Sequence, residues 1–386
     1  MAWESSLTFL FGAIATIWLL FVLECAQGVR RLPRIPRYAP LPDEQCPKVS
    51  ILFSARDEEE KLPQGLATMQ ALDYPHYEII AVNDRSSDAT GRILDEAAAR
   101  DPRLKVIHIR ELPAGWLGKP HGLQRAYEAA SGEWLLFTDA DVRMAPGVLR
   151  RTMAIARERG WDHLTAFCRA DMTGFWDRVL LIYFGLAMTL RYLPWRVSGR
   201  CRWSYMGVGA FQMMQRSAYE AIGAHRRLAM EVIDDLKLGK LVKAGGFRSG
   251  VCVAEDWIQV RWHDGVGNII RGLTKNSFAS SRFSLPFVLL QCAFLLQMSL
   301  LPFVALAATS GWPQALAGVS AAIAAIMTGA VARDMGAPPL YGLTHALGSL
   351  LLIYVLLRSS AVTLRQGGIV WRDTFYPLDE LRKGRV

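Results

Sequence analysis

The chain has 386 residues, 52% of them hydrophobic, and a formal net charge of +9 from 44 Lys and Arg against 35 Asp and Glu. That length exceeds one small compact domain, and the apolar content is high for a soluble enzyme, so part of the chain is expected in lipid. The basic excess is then read as charge facing a cytoplasmic membrane surface, and nucleic-acid binding is set aside.

Six cysteines are scattered at 25, 46, 168, 201, 252 and 292. None has metal-ligand spacing and they form no disulfide framework, so free thiols in a reducing compartment are expected.

Residues 6–26, SLTFLFGAIATIWLLFVLECA, are long and apolar enough to span a bilayer, and a transmembrane helix is expected over 6–28. Arg30, Arg31, Arg34 and Arg37 follow at once. The positive-inside rule places the N-terminus outside and the next segment in the cytosol. A cleaved signal peptide would need its basic residues on the other flank.

A soluble region follows over 47–282. Strands are expected at 49–53, 77–84 and 104–109 and in EWLLFTDAD, with helical stretches at 58–71, 88–100 and 120–130 between them. Strands alternating with helices predict an α/β fold, a parallel sheet covered on both faces. In such sheets ligands bind beyond the carboxyl ends of the strands. Here those ends carry Ser54 and Arg56–Asp57, then Asn83–Asp84, then Asp139 and Asp141, and their convergence implies one site. In extended backbone, residues two apart face the same way, so Asp139 and Asp141 can address one target unless a turn rotates one away. Two carboxylates suit a hard divalent cation, Mg²⁺ or Mn²⁺, with bound phosphate completing its shell.

Residues 175–195 are apolar but interrupted by Arg and Asp, which predicts an interfacial or core helix. The basic and aromatic run at 271–283 reads as a second surface-lying segment. Three apolar stretches, 285–309, 312–332 and 340–357, predict a membrane domain over 285–364, and a basic tail occupies 365–386. Four full spans would leave both termini outside. The tail's Arg358, Arg365, Arg372, Arg382, Lys383 and Arg385 oppose that, so one C-terminal segment is expected to be re-entrant. His345 is the exception to otherwise uncharged spans, which argues against a channel or transporter.

Several stretches together resemble family 2 glycosyltransferases with the nucleotide-sugar-binding GT-A fold, over residues 47–281. VSILFSARDEEEKL resembles that family's first strand and turn. YPHYEIIAVNDRSSDAT resembles its DDGSxD segment, with Asn83 in place of the first aspartate. GWLGKPHGLQRAYEAASGEWLLFTDAD resembles its GK…GE…DAD stretch, and EVIDDLKLGKLVKAGG its ED helix, with Asp234 replacing glutamate. The membrane arrangement is similar to that of ceramide glucosyltransferases and hopene-associated glycosyltransferases.

The resemblance implies roles. Asp84 would accept a hydrogen bond from the nucleobase, with Ser54 and Arg56 on the neighbouring nucleoside-contacting turn. Asp139 would contact the ribose or sugar, and Asp141 the metal. Lys119, opening a helix, would hold phosphate, which a helix N-terminus also favours. Asp235 would be the general base. Adjacent helical residues diverge by ~100°, so only one of Asp234 and Asp235 faces the site. Arg271 and Lys275 stand where processive members carry QxxRW; they either grip the diphosphate or lie at the interface, and the missing motif argues against a long polysaccharide product.

Gly207–Phe211 has GxGxF spacing outside a strand–helix context, and is read as a close-packed loop near the acceptor. Glu255–Asp256 and His263–Asp264 are read as surface pairs. The expected protein is a multi-pass enzyme of a bacterial-type inner membrane with its catalytic domain in the cytoplasm. It would move one sugar, by inversion, from a nucleotide-diphosphate sugar (a UDP-sugar by preference) to a membrane lipid, without nucleic acid. A polysaccharide synthase and an inactive nucleotide-binding scaffold are the alternatives.

Overall fold

The computed structural model describes residues 2–261, 265–384 and 386. His263, Asp264 and Arg385, which the sequence reading singled out, lie outside the described residues. The chain divides into two compact units that are not sequential. One comprises the described residues of Met1–Arg31, Met172–Leu193 and Trp262–Gly367, the other Leu32–Asp171, Pro194–Arg261 and Gly368–Val386.

The second unit is built on an eight-stranded sheet. Its strands are β1 (Val49–Ala55), β2 (Tyr77–Asp84), β3 (Leu104–Ile109), β4 (Trp134–Phe137), β5 (Arg143–Met144), β6 (His163–Ala170), β7 (Gln212–Gln215) and β8 (Ser249–Val260), in the order β3-β2-β1-β4-β7-β6-β8-β5. As expected, β1 to β4 are parallel. Beyond β4 the sheet turns mixed: β7 runs antiparallel to both β4 and β6, β6 is parallel to β8, and β5 is antiparallel to β8.

Alternation along the strands makes two cores. Ile51 and Phe53 of β1 join Ile79, Ala81 and Leu136 on one face, under Leu66 and Met69 of the helix Leu62–Gln70 and Leu149 and Met153 of Val148–Arg159. Leu52, Ile80, Val82, Leu135 and Phe137 face the other way, onto Leu123 and Ala126 of the helix Gly118–Glu128 and Leu238 and Leu241 of Asp234–Ala244. Each buried aliphatic side chain contributes about 1.5–3 kcal/mol, and covering both faces makes the central strands read as continuous apolar runs.

The amino-terminal edge of the strands is closed by a buried carboxylate. Glu78 accepts from Ser50 Oγ (2.8 Å), Ser131 N (2.6 Å), Ser131 Oγ (2.7 Å) and Lys105 Nζ (2.8 Å).

Among the described residues the first unit holds four helices long and apolar enough to cross a membrane: Trp3–Arg31, Leu285–Ala308, Gly311–Asp334 and Pro339–Gln366. The second is interrupted by a π turn, Leu296–Leu300. Pro302 lacks the N–H that the Met298 carbonyl would otherwise receive four residues earlier, and that carbonyl accepts the Trp18 indole N–H instead, at 3.1 Å. The helix Phe175–Tyr192 lies in this unit and sends Leu186 into a cluster with Phe11, Ile14, Trp18 and Ala317.

Three expectations need correction. EWLLFTDAD is strand only to Phe137; Ala140 and Asp141 are a turn, so the two-residue alternation does not govern Asp139 and Asp141. Residues 271–282 were assigned to the catalytic region, but the helix Val266–Ser280 is part of the first unit. The residues called a basic tail are folded: β9 (Gly368–Trp371) and β10 (Thr374–Pro377) form an antiparallel hairpin, a helix Leu378–Lys383 follows, and all belong to the second unit.

Candidate active site

Three turns leave the carboxyl ends of β1, β2 and β4. The first two are tied together. Asp57, at φ 53°, receives Ser87 N (2.7 Å) and gives its own N–H to Ser86 Oγ (3.1 Å). Glu58 N donates to Thr90 Oγ1 (2.8 Å), Glu59 N to Asp88 Oδ2 (3.0 Å), and Ala89 N to Glu59 Oε2 (2.8 Å). The acids of RDEEE and RSSD thus act as braces that hold the strand ends in register.

Within this frame Asp84 is 3% exposed. Arg85, itself at φ 57°, folds back onto it with Nε 2.7 Å from Oδ1 and Nη2 3.0 Å from Oδ2. A planar fork on a carboxylate is the strong geometry for such a pair, and it raises the Arg85 pKa above its ordinary value. Gly118 closes the pair from above: a Cβ there would lie 2.4 Å from Asp84 Oδ2. Ser54 is covered likewise by Gly122, whose Cβ would lie 2.3 Å from the hydroxyl. Both glycines are on the helix Gly118–Glu128, which therefore packs its backbone directly on the two strand ends.

Arg56 donates from Nη1 to Thr374 Oγ1 (3.3 Å), and its buried Nε has no hydrogen-bond partner among the described residues. His121, in the same glycine-bearing helix, is 9% exposed with its Nδ1 equally unpartnered. Burial lowers its pKa, against the opposing charge of Asp84, and keeps it neutral. Sequence reasoning missed both His121 and Arg85. Arg85 is adjacent to a motif aspartate, but nothing in the sequence distinguishes His121 from an ordinary core histidine.

The second cluster centres on Gly209. A Cβ on Gly209 would lie 3.2 Å from Asp235 Oδ2, 3.2 Å from Lys119 Nζ and 3.3 Å from Asp139 Oδ2. These three charged groups, from the helix Asp234–Ala244, the helix Gly118–Glu128 and the turn after β4, therefore converge on one small volume. Asp235 Oδ2 accepts from Gly209 N (2.9 Å), and Lys119 Nζ is 2.5 Å from Asp139 Oδ1. Burial would lower the lysine pKa, but Asp139, Asp234 and Asp235 prevail and hold it well above its usual range, a fixed cation.

The GxGxF loop is close-packed, as expected. A Cβ on Gly207 would meet the Asp235 carbonyl oxygen at 1.9 Å, and one on Gly239 the Met206 carbonyl oxygen at 2.1 Å, so these glycines let the loop lie on the helix that carries Asp235.

Asp234 and Asp235 part as adjacent helical residues must. Asp234 is buried, with His225 Nε2 3.9 Å from Oδ2, and burial with the Lys119 charge pushes that histidine down to about 3. Asp235 is half-buried and faces Gly209.

Asp141 looks elsewhere than Asp139. Lys61 Nζ is 3.8 Å from Asp141 Oδ2. Its carboxyl is pushed up to about 6, first by burial and then by Asp139 and Glu58, against Lys61. The backbone of Gly65 braces this turn, a Cβ there falling 2.2 Å from the Ala140 carbonyl oxygen. Among the described residues no group of three or more His, Cys, Asp or Glu could hold a metal by itself. Asp141 alone would therefore meet a hard cation only together with phosphate ligands the donor brings, the usual way Mg²⁺ is held.

Arg271 and Lys275 sit on the helix Val266–Ser280 of the first unit, where Arg271 bonds Asn268. They are not among the groups the second unit gathers. Glu255 pairs with Arg34 at 2.9 Å and Asp256 with Arg169, surface pairs as expected.

Glycosyl transferase family 21 matches this sequence over residues 7–383. The chain belongs to that family. It is a family of GT-A-type transferases, so the match and the motif resemblance agree on the class of enzyme and on its fold. Among solved structures, a mannosyltransferase from Pyrobaculum calidifontis, in complex with GDP-Man and Mn²⁺, superposes with a TM-score of 0.58 at 18% identity, covering 92% of this chain and 98% of that one, and shows the shared fold. A probable glycosyltransferase of Bacillus subtilis is 34% identical over 142 residues, 35% of this chain and 34% of its own. A beta-monoglucosyldiacylglycerol synthase of Synechocystis is 29% identical over 147 residues, 35% of this chain and 30% of its own. The chain thus spans about a third of the length of the curated relatives it matches.

Proposed function

We propose that this family 21 member moves one sugar from a nucleotide-diphosphate sugar to the hydroxyl of a membrane lipid, with inversion at the anomeric carbon. The observation that carries the reading is the convergence of Lys119, Asp139 and Asp235 on Gly209, next to the strand-end turns that hold Asp84.

The nucleoside half of the donor is assigned to the turns after β1 and β2, with Asp84 taking the base and Ser54 and Arg56 beside it. The diphosphate is assigned to Lys119 at the helix N-terminus, where a fixed cation and backbone N–H groups favour an anion. Asp139, now paired to that lysine, would exchange it for a sugar or ribose hydroxyl. Asp141 would hold a divalent cation. Such an ion, when bound, neutralises the diphosphate as a leaving group.

The chain's own residues account for the proton. The acceptor oxygen attacks the anomeric carbon, its proton passes to Asp235 Oδ2, and the bond from that carbon to the diphosphate oxygen breaks, with the electron pair leaving on the diphosphate. Gly209 N–H holds the Asp235 carboxylate in place for this, and general-base catalysis needs that reach.

A lipid acceptor is supported by four helices of spanning length in the same chain and by the Synechocystis relative, named for a glucosyldiacylglycerol. The arginines after the first span favour a cytoplasmic catalytic unit. That β9, β10 and the helix Leu378–Lys383 belong to that unit favours an even number of crossings between Arg261 and Gly368, with one of the three apolar helices turning back.

The test is nucleoside diphosphate release by the protein in lipid, with Mg²⁺ or Mn²⁺ and a panel of nucleotide sugars, with and without total membrane lipid. Release from one donor, dependent on lipid and lost in Asp235→Asn, supports the reading. Diphosphate binding with silence toward every donor and lipid favours an inactive scaffold.

A further inference from the structure

Between Asp177 and Glu220 the chain carries six arginines and no acid. Arg196, Arg200, Arg202 and Trp203 of that stretch are exposed, on a run of turns that links the helix Phe175–Tyr192 to Gly209. The chain leaves the first unit at Leu193 and enters the second at Pro194, so this loop follows the passage at once. Trp203 is 50% exposed. Among the described residues of the second unit only two other large apolar side chains are exposed, Val370 and Phe375; they pair across the hairpin, whose turn carries both signs of charge in Arg372 and Asp373.

The loop is firmly seated. Lys243 Nζ donates to the Val197 and Gly199 carbonyl oxygens, a Cβ on Gly239 would lie 2.1 Å from the Met206 carbonyl oxygen, and Gly209 N donates to Asp235 Oδ2 (2.9 Å). Residues 235, 239 and 243 are four apart and share one face of the helix Asp234–Ala244. The chain from Val197 to Gly209 therefore runs along that face from its carboxyl to its amino end, with its pinned points within about 12 Å of Asp235 along the axis. Between the pins, Gly199 N donates to the Arg196 carbonyl oxygen (3.0 Å) and Ser204 N to that of Cys201 (3.3 Å), which turns the intervening residues outward as a braced projection.

We propose that residues 196–205 are the second unit's own docking surface for an anionic phospholipid leaflet, with Trp203 at the headgroup level and Arg200 and Arg202 on lipid phosphates. The occupant follows from the chemistry of the loop. Arginines with no acid among them match a negative surface, and a guanidinium takes a phosphate with two parallel bonds. An exposed indole between them is favoured where one side of the ring meets acyl chains and the other meets water. The same chain holds four helices of spanning length, so a bilayer is always at hand. The consequence for transfer rests on the proposed reaction: a loop seated on the helix face that carries Asp235 would set the general base beside the leaflet from which a lipid hydroxyl arrives.

The full chain is placed in nanodiscs of phosphatidylcholine, alone or mixed with phosphatidylglycerol, and amide hydrogen exchange is followed by mass spectrometry. Peptides over 198–205 are expected to exchange more slowly with the anionic lipid, and high salt is expected to abolish the difference. A basic residue near an anionic surface gains about fivefold, so Arg200→Gln with Arg202→Gln is expected to cut the added protection by up to about thirtyfold. Trp203→Phe is expected to remove a component of tryptophan fluorescence that brominated lipids quench in the anionic discs. Equal exchange in the two lipids, protection that survives in the double variant, or unchanged quenching in Trp203→Phe overturns the proposal. So does protection of 198–205 in detergent at the mass of a dimer, the mark of a contact between two copies, or protection by inorganic diphosphate in neutral discs, the mark of a soluble phosphate site. None of these readouts needs turnover, so a chain that docks yet releases no nucleoside diphosphate sinks the transferase reading and leaves the docking surface standing. Where transfer occurs, the double variant is expected to raise the KM for the lipid acceptor in anionic discs with kcat unchanged; an unchanged KM overturns the link from this surface to Asp235.

Discussion

Gly209→Ala adds one methyl at the point where the charged groups meet. Its carbon would lie 3.2 Å from Asp235 Oδ2 and Lys119 Nζ and 3.3 Å from Asp139 Oδ2, a few tenths of an ångström inside ordinary contact. All three neighbours are side-chain ends, so they can yield, and φ at this glycine is not in the left-handed region. The fold is therefore expected to tolerate the change at a cost of about 1 kcal/mol. Catalysis is expected to suffer more. A 1 Å misplacement of reacting groups costs ~10²-fold, so a shift of a few tenths, with an apolar group set among three charges, predicts about a tenfold fall in kcat, roughly 1.4 kcal/mol on the barrier. Gly207→Ala is the contrast. Its methyl would meet backbone, the Asp235 carbonyl oxygen at 1.9 Å, so the helix itself must move. There the loss is expected in Tm, from an overpacking cost of about 1–3 kcal/mol or more. The assay is initial-rate diphosphate release in lipid at saturating donor, with thermal unfolding of both variants alongside. A Gly209→Ala enzyme with unchanged kcat would refute the convergence of these groups on the reacting space.

Asp235→Asn is expected to lower kcat by about 10²–10⁴-fold, the usual worth of a general base, while calorimetry finds the affinity for the diphosphate product unchanged. Asp141 is held above its ordinary value, at about 6, so the folded state without added cation binds its proton more tightly than the unfolded chain does. Stability is then expected to fall as pH rises from about 4 through 6, a slope that Asp141→Asn removes and millimolar Mg²⁺ or Mn²⁺ offsets in Tm-against-pH curves. Burial raises the Glu78 pKa, but bonds from Lys105, Ser131 and Ser50 prevail and bring it to about 2. Its contribution is present above about pH 4.5 and lost as pH falls toward 2; Glu78→Leu, which strands those donors, is expected to cost about 3–5 kcal/mol and to leave the donor KM unchanged.

The sequence reading matched the structure where periodicity and burial act together. YEIIAVND and LKVIHI were read to the residue because each is built on β-branched residues, Ile79, Ile80 and Val82 in one and Val106, Ile107 and Ile109 in the other, and the first ends at the turn formers Asn83 and Asp84. The EWLLFTDAD strand was drawn too long because nothing local announces the turn at Ala140, against which the Gly65 backbone packs closely. That Asp234 and Asp235 diverge followed from helical geometry, whereas the choice of Asp235 came from the resemblance. The partners of the site residues were not legible: Lys119 and Asp139 are twenty positions apart, and Arg85 reaches Asp84 only through a left-handed backbone. The hairpin did leave a trace, in GIVW and TFYP either side of two residues. Arg-Asp is not the Asn-Gly or Asp-Gly that marks such turns, and the charge of the region drew attention instead.

The hairpin also has a consequence for how the protein is made. Its partners Arg56 and Glu58 are synthesised some three hundred residues before Thr374 and Arg372, with every apolar helix of the C-terminal half between them. Contacts of that sequence separation form late, after the intervening loop has been closed. Synthesis proceeds from the amino end at about 5–20 residues per second, so the sheet can form well before its last segment exists. A chain halted before Gly368 would carry Asp84, Lys119 and Asp235 yet lack the residues that pair with Arg56 and Glu58 on the turn after β1. The turn after β1 would then be fastened last in biogenesis, once the intervening helices have been made.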